Sequence, residues 1–404
     1  MYSSDLKLIA IFAIVAATIV LRVVVESTGY CTPDSEYYLE AAQNILDGRG
    51  FYHSNQYPIP KVKTPKNQTY FAVWPLGYPL LIAGFAFFFS ISVFWASKLV
   101  NIFFLGLCFL LFRKMNRKNA YLLSLTMLSF TFLEVFSYTW SEAPFIFGML
   151  WFAYLLYYYL QNVNNFKCLL LLFSSCLFLF LIRYIGGFSF LILGSICAWF
   201  MLQKKYKPAF KLLSILVLLN IIGGLYFYNN YLQTGYLTGG ERLFPDRESW
   251  GLFIWYLFVG LFNEFFIIRN YYWRGGSPDT LFWITSIFQV LLMVFIYFKY
   301  LKEQLTFIYF RNNLATLYVV IGMIYLLILI FIRLFSPFDP FDYRLLSPFS
   351  ICMYTALFIL LINPKLTANI TGAYRYIIIF FFVSLILNFP KMYLIEIFRS
   401  LIRP

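Results

Sequence analysis

Long apolar runs broken by short polar segments set the pattern of this chain. Lys7–Val25 reads KLIAIFAIVAATIVLRVVV, and about 20 such residues are enough to cross a bilayer as a helix. No small-residue cleavage site follows it, so it is read as an anchor rather than a removed leader. The same pattern predicts crossings at 6–25, 94–112, 120–138, 143–160, 168–184, 186–202, 210–228, 280–298, 314–334, 345–362 and 374–389. Two more apolar stretches, Leu76–Val93 and Gly251–Phe266, do not fit an alternating path. Each follows a polar loop, and the first contains Pro79. Counting either one alone as a crossing would invert every later loop, so both are expected to lie half-inserted on one side. The expected architecture is all-α and polytopic, with 11 to 13 spans in a single membrane domain covering 1–404.

Orientation follows from where the basic residues fall, since Lys and Arg collect in cytoplasmic loops. Arg113–Asn119, Gln161–Lys167, Gln203–Lys211 and Lys299–Asn313 are basic, and Asn363–Lys365 is a weaker fifth case. With the N-terminus inside, the outer segments are Glu26–Pro75, Tyr138–Glu142, Arg183–Gly187, Asn229–Trp250 and Ser336–Arg344. The longest is the first, a loop of about 50 residues at 26–75 that is the expected catalytic loop.

Composition agrees: 62% of residues are hydrophobic, 12% are charged and the mean hydropathy is +0.75. A soluble domain carries about a quarter charged residues. The net charge of +14 is explained by the basic loops, and nothing interleaves basic and stacking residues on a polar surface, so nucleic acid is discarded as a partner. Five of the six cysteines lie in or beside apolar spans, and Cys31 stands alone, which is no disulfide framework. The single histidine, His53, rules out a multi-histidine metal site, and no motif supports any metal or cofactor.

The chemistry-bearing residues lie in the outer segments. Thr32–Phe51 reads TPDSEYYLEAAQNILDGRGF. Its periodicity predicts a short amphipathic helix over 34–46, with Tyr38, Ala41, Ala42 and Ile45 on one face. Asp34 or Ser35 caps that helix, or Asp34 presents a carboxylate able to accept a proton. The loop closes with YFAVWPLGYPLL, Tyr70–Leu81. Its Tyr70, Phe71, Trp74 and Tyr78 form either an interfacial aromatic belt or a substrate-facing strip. Glu142, in YTWSEAPF, suits the first turn of a helix. On the same side as Asp34, it is also one of two acids at membrane depth, where ionisable groups are costly. Arg183, Arg344, Arg242 and Arg247 run against the positive-inside bias. Each could be a snorkelling anchor, and several converging would suit a phosphate.

Taken in order, these residues resemble the GT-C superfamily of glycosyltransferases, close to glycosyltransferase family 39, which includes protein O-mannosyltransferases and the lipid A aminoarabinose transferase. The resemblance rests on Asp34-Ser35-Glu36-Tyr37-Tyr38 through Ala42 with Gly48-Arg49-Gly50-Phe51, on Trp74–Leu81, on Glu142, and on Asp342-Tyr343-Arg344-Leu345-Leu346-Ser347-Pro348. Ser35 stands where protein mannosyltransferases have Glu. The resemblance implies an inverting transferase of the inner (plasma) membrane, with its active site on the outer face. It would move a sugar from a polyprenyl-phosphate donor, undecaprenyl-type for a bacterium, to a hydroxyl of a lipid, glycan or protein acceptor. Asp34 would be the base. Arg183 and Arg344, with Arg242 behind them, would hold the donor phosphate. Glu142, Tyr38, Trp74 and Tyr78 would bind substrate, surrounding membrane lipids would complete the partners, and no metal would be needed. The competing reading is a lipid or sugar transporter or flippase. It predicts charges buried mid-span and helix pairs broken in matching halves.

Overall fold

The computed structural model describes residues 3–54, 68–240, 248–271, 280–302, 313–335, 339–362 and 367–390, together with 395 and 399. Among these the chain is helical almost throughout, because in lipid only internally hydrogen-bonded backbone is tolerated. Eight helices are long and apolar enough to cross a membrane, and a bent pair makes a ninth. They include α1 (Ser3–Val25), α4 (Val93–Met115), α7 (Glu142–Gln161), α10 (Tyr206–Thr234), α13 (Leu314–Phe335) and α14 (Tyr343–Leu361). Helix α9 (Phe188–Leu202) extends the count with the short turn before it, and α12 (Thr280–Ile296) with the turn after it. The bent pair is α5 (Ala120–Ser124), continued by a 3-10 turn to Leu128, and α6 (Phe130–Ser137), bent by 73°. The expected crossing at 120–138 is therefore a broken one. Helices α8 (Phe166–Ile182) and α15 (Thr367–Leu387) stand where the remaining crossings were expected, each with an apolar stretch shorter than the rest.

Side-chain contacts tie the expected faces together. Arg113, at the end of α4, donates to Asp5 at the start of α1 over 2.8 Å, which puts those two termini on one basic face. Lys114 lies over the Tyr154 ring of α7, and Lys211 of α10 reaches Asn164 before α8. The basic loop expected at 299–313 falls mostly outside the described residues. On the opposite face, Arg22 at the end of α1 pairs with Glu134 of α6, and both are largely buried.

The two anomalous apolar stretches form short helices, α3 (Gly77–Phe89) and α11 (Trp250–Phe265). At 1.5 Å per residue they span only about 20 and 24 Å, less than the roughly 30 Å of a bilayer core. Helix α3 begins with Tyr78 bonded to Asn101 of α4 and ends in a tight turn, with Ser90 at φ 54°, that returns to the start of α4. Helix α11 begins beside Glu248, which accepts from Arg333 of α13. It ends with Glu264 accepting from Thr131 of α6 and Ser350 of α14. Helix α3 thus folds back onto α4, and α11 runs from the Glu248–Arg333 contact to a buried end between α6 and α14.

The large polar segment folds on the face opposite the basic loops. Helix α2 (Pro33–Leu46) is followed by a two-residue strand pair, β1 (Tyr52–His53) and β2 (Thr69–Tyr70), antiparallel with Tyr52 opposite Tyr70. An all-α reading does not foresee this ladder. It clamps the two ends of a long loop, a long-range pairing that helical periodicity does not encode. Buried Lys98 of α4 fixes the floor beneath by donating to the carbonyls of Tyr30 and Ser137. Tyr30 takes a left-handed backbone, φ 55°, and its carbonyl also accepts from the Thr139 amide.

Two expectations about stability follow. Replacing Arg22 by Ala leaves Glu134 buried without its cation, and losing one partner of a buried pair costs about 3–5 kcal/mol. The thermal unfolding midpoint in detergent should fall by several degrees, and a midpoint equal to wild type would show that Glu134 is compensated elsewhere. Asp342, which caps α14 by accepting from the Leu345 amide at 3.1 Å, has its carboxyl pushed up to about 6 by burial. A carboxyl whose folded value lies above its unfolded one gives up stability as pH rises through that window. Asp342→Asn keeps a capping side chain and removes the titration. Its midpoint relative to wild type should rise between pH 4 and pH 7, whereas a pH-independent difference would show that Asp342 does not titrate there.

Candidate active site

Four of the residues expected to act together meet at one point, although 310 positions separate the first from the last along the sequence. The site is built where the start of α2, the start of α7, the turn after α8 and the start of α14 converge.

Thr32, not Asp34, is the N-cap of α2. Ser35 completes the capping box by accepting from the Thr32 amide at 3.0 Å. Ser35 also donates to the Thr139 carbonyl at 3.0 Å, which fixes α2 on the loop before α7. The capping reading of Asp34 is therefore set aside: Ser35 serves the helix end and the Asp34 carboxylate reaches Arg344. Pro33 opens the helix, where its missing N–H costs nothing.

Glu142 opens α7 and is fully buried. Its Oε1 is held by two arginines, pairing with Arg183 and accepting from Arg344 Nε at 2.7 Å. Arg183 ends α8 and is followed at once by the Tyr184–Gly187 turn. There a Cβ on Gly186 would lie 2.2 Å from the Leu179 carbonyl oxygen. Only glycine allows a turn that tight, and the turn aims Arg183 inward. Arg344 sits in the first turn of α14. From there its Nη1 lies 2.5 Å from Asp34 Oδ2, and its guanidinium lies 4.9 Å from the Trp140 ring. Trp140 is itself stacked on Tyr138 at 4.0 Å and donates from Nε1 to Thr32 Oγ1 at 3.0 Å. Two carboxylates and two guanidiniums thus form one chain, Asp34–Arg344–Glu142–Arg183, which balances its own charge. Exposure grades along it: the side chain is sealed at Glu142, 14% exposed at each arginine and 29% at Asp34.

The aromatic expectations fall beside this chain. Tyr38 is fully buried, with its ring 5.2 Å from Trp74, 5.1 Å from Tyr78 and 5.9 Å from Phe71. Its hydroxyl lies 3.3 Å from Ser141 Oγ, and burial raises that hydroxyl's pKa above the ordinary tyrosine value. Tyr38 and Tyr78 are therefore packed inside the wall. Trp74 is half-buried, 5.6 Å from the ring of Tyr37, which also contacts His53 at 5.1 Å. These partly open rings, Tyr37 and Trp74, face the working surface more than Tyr38 or Tyr78 does. Arg242 and Arg247 lie outside the described residues.

Sequence reading missed the residues that hold the Trp74–Pro75 strip. Tyr226 of α10 accepts from the Leu76 amide at 2.9 Å. Tyr184 donates to the Ala72 carbonyl at 2.8 Å and accepts from buried Asn230 at 2.9 Å. Polar side chains in otherwise apolar spans were the available signal, since burying one in the membrane requires a partner. Among the described residues, no three His, Cys, Asp or Glu side chains gather as a metal site.

No protein-family model matches the chain, and no curated protein matches it in sequence. Solved structures do. The chain is similar to ArnT from Cupriavidus metallidurans bound to undecaprenyl phosphate, at 11% identity and a TM-score of 0.52, over 90% of this chain and 62% of that one. It also aligns with the Archaeoglobus fulgidus oligosaccharyltransferase in the apo form, at 11% identity and a TM-score of 0.49, over 94% of this chain and 55% of that one. The chain thus spans less than two thirds of the length of either. A likeness at that identity concerns the course of the backbone and not the chemistry. On that ground, this protein has a polytopic helical fold similar to that of the ArnT structure.

Proposed function

We propose that the protein is an inverting glycosyltransferase. It takes a sugar from a polyprenyl-phosphate donor, undecaprenyl-type, and passes it to an acceptor hydroxyl on the face opposite the basic loops, the outer face of the inner membrane. The observation that carries the reading is the pairing of a partly exposed carboxylate, Asp34, with Arg344 across 2.5 Å. A proton acceptor and a cation matched to phosphate oxygens stand side by side, with Asp34 the more exposed of the two.

The chemistry asks for these two groups. The acceptor oxygen attacks the anomeric carbon and the carbon–oxygen bond to phosphate breaks. The proton goes to Asp34, and the lipid phosphate leaves with the bonding electrons. One displacement from the opposite side inverts the configuration. A carboxylate general base contributes about 10²–10⁴-fold. Charge growing on the leaving phosphate is stabilised by a fixed guanidinium. Arg344, equal in exposure to Arg183 but also in contact with the more exposed Asp34, is the one placed to do so. Arg183, sealed onto Glu142, holds the site in shape and contributes its charge from behind. Glu142 orients both arginines. Tyr37 and Trp74 offer ring faces for a sugar, while Tyr38 and Tyr78 back them. The transport alternative predicts helix breaks in matching halves. The described residues hold one bent span, at Ser129, with no second break in a matching half among them, while Asp34, Glu142, Arg183 and Arg344 gather at one point.

With the purified protein and a panel of undecaprenyl-phosphate sugars, Asp34→Asn should lower transfer by about 10²-fold or more, with an unchanged thermal midpoint. Full transfer in that variant would sink the mechanism.

A further inference from the structure

The four-membered charge chain divides into two unlike pairs. Glu142 and Arg183 form the closed one: the carboxylate is sealed and the guanidinium nearly so, with the Phe145 ring 5.9 Å away. Separating them would leave a buried charge uncompensated, which is prohibitive at that depth. Asp34 and Arg344 form the open one. The Asp34 side chain is twice as exposed as that of Arg344, 29% against 14%, and its contact to Arg344 uses Nη1 alone. Arg344 stays anchored without Asp34, because Nε remains on Glu142 at 2.7 Å and its plane rests over Trp140. An anchored guanidinium with one arm on an exchangeable carboxylate is a site where another anion can take that carboxylate's place.

We propose that Arg344 exchanges Asp34 for the phosphate of the lipid, so that the base is released from its counter-ion when the phosphate-bearing substrate binds. This rests on the transferase reading above and adds an order of events to it. A phosphate oxygen bound to Nη1 draws the Arg344 cation away and sets negative charge beside the carboxylate. Both changes leave the Asp34 carboxylate free to meet an acceptor hydroxyl. The closed pair carries no part of the exchange. It keeps Arg344 in place and lets the site hold two guanidiniums without a net positive charge while no phosphate is bound.

The exchange makes a prediction that a simple substrate-contact role for Asp34 does not. If Asp34 competes with phosphate for Arg344, removing its charge strengthens phosphate binding even as transfer is lost. In nanodiscs of zwitterionic phospholipid, binding of undecaprenyl phosphate to the full chain can be read by native mass spectrometry, with inorganic phosphate as competitor. Asp34→Asn should bind the lipid about tenfold more tightly than wild type, the scale of one partly exposed ion pair. Arg344→Ala should bind it weakly. In the double variant, Asp34→Asn should give no gain, because the competition needs the guanidinium. Equal or weaker binding by Asp34→Asn, with wild type binding well, overturns the exchange and leaves the transferase reading standing. A gain that persists without Arg344 also overturns it. Failure of wild type and variants alike to bind the lipid overturns the transferase reading and the exchange together.

Discussion

One buried carboxylate organises the working face. Glu142 begins α7, is sealed from solvent, and receives both Arg183 and Arg344 on one oxygen. A lone carboxylate at that depth would neutralise itself, and a lone arginine cannot. Each group is tolerable only because the others are there. The consequence is geometric: the end of α8 and the start of α14 are pinned to the start of α7, although the three lie far apart in sequence. Where those ends meet, the site is set, and Asp34 is delivered to it by α2.

The surrounding structure serves this convergence. The two short helices, α3 and α11, span only about 20 and 24 Å. They bring the Trp74–Pro75 strip and the Glu248–Arg333 contact to the same face as Glu142. Hydrogen bonds from Tyr184 and to Tyr226 and Tyr184 hold the strip to α10 and the α8–α9 turn. A span broken at Ser129 lets the Phe130 amide reach the Ile267 carbonyl, tying the end of α11 to the middle of the bundle. Polar groups that look misplaced in apolar helices, such as Lys98, Asn101 and Asn230, each meet backbone or hydroxyl partners. They keep irregular backbone satisfied where the membrane supplies no water.

In the proposed reaction, phosphate chemistry and acid–base chemistry would share this four-group chain. Arg183 is spent on Glu142, so the site's usable cation is Arg344. Its partner Asp34 is the most exposed of the four. Exposure decides which pair is structural and which can respond to a ligand, since screening and desolvation act oppositely on the two.

Hydropathy and basic loops carried much of this without coordinates. Period and length placed most of the spans, the amphipathic helix at Pro33–Leu46 and two short apolar helices at the anomalous stretches. Counting Lys and Arg put Asp34, Glu142, Arg183 and Arg344 on one face. These are local or one-dimensional properties, set by the cost of leaving backbone or charge in lipid, and a sequence displays them directly. What the sequence left open needed distances. Asp34 reads equally well as a helix cap until Ser35 is seen completing the cap. Tyr38 and Tyr78 read as substrate-facing until they are found buried behind Trp74. The pairing of β1 with β2, the break at Ser129 and the division of labour between Arg183 and Arg344 came only from the fold. Each depends on which remote side chain arrives within about 3 Å, and no local pattern records that.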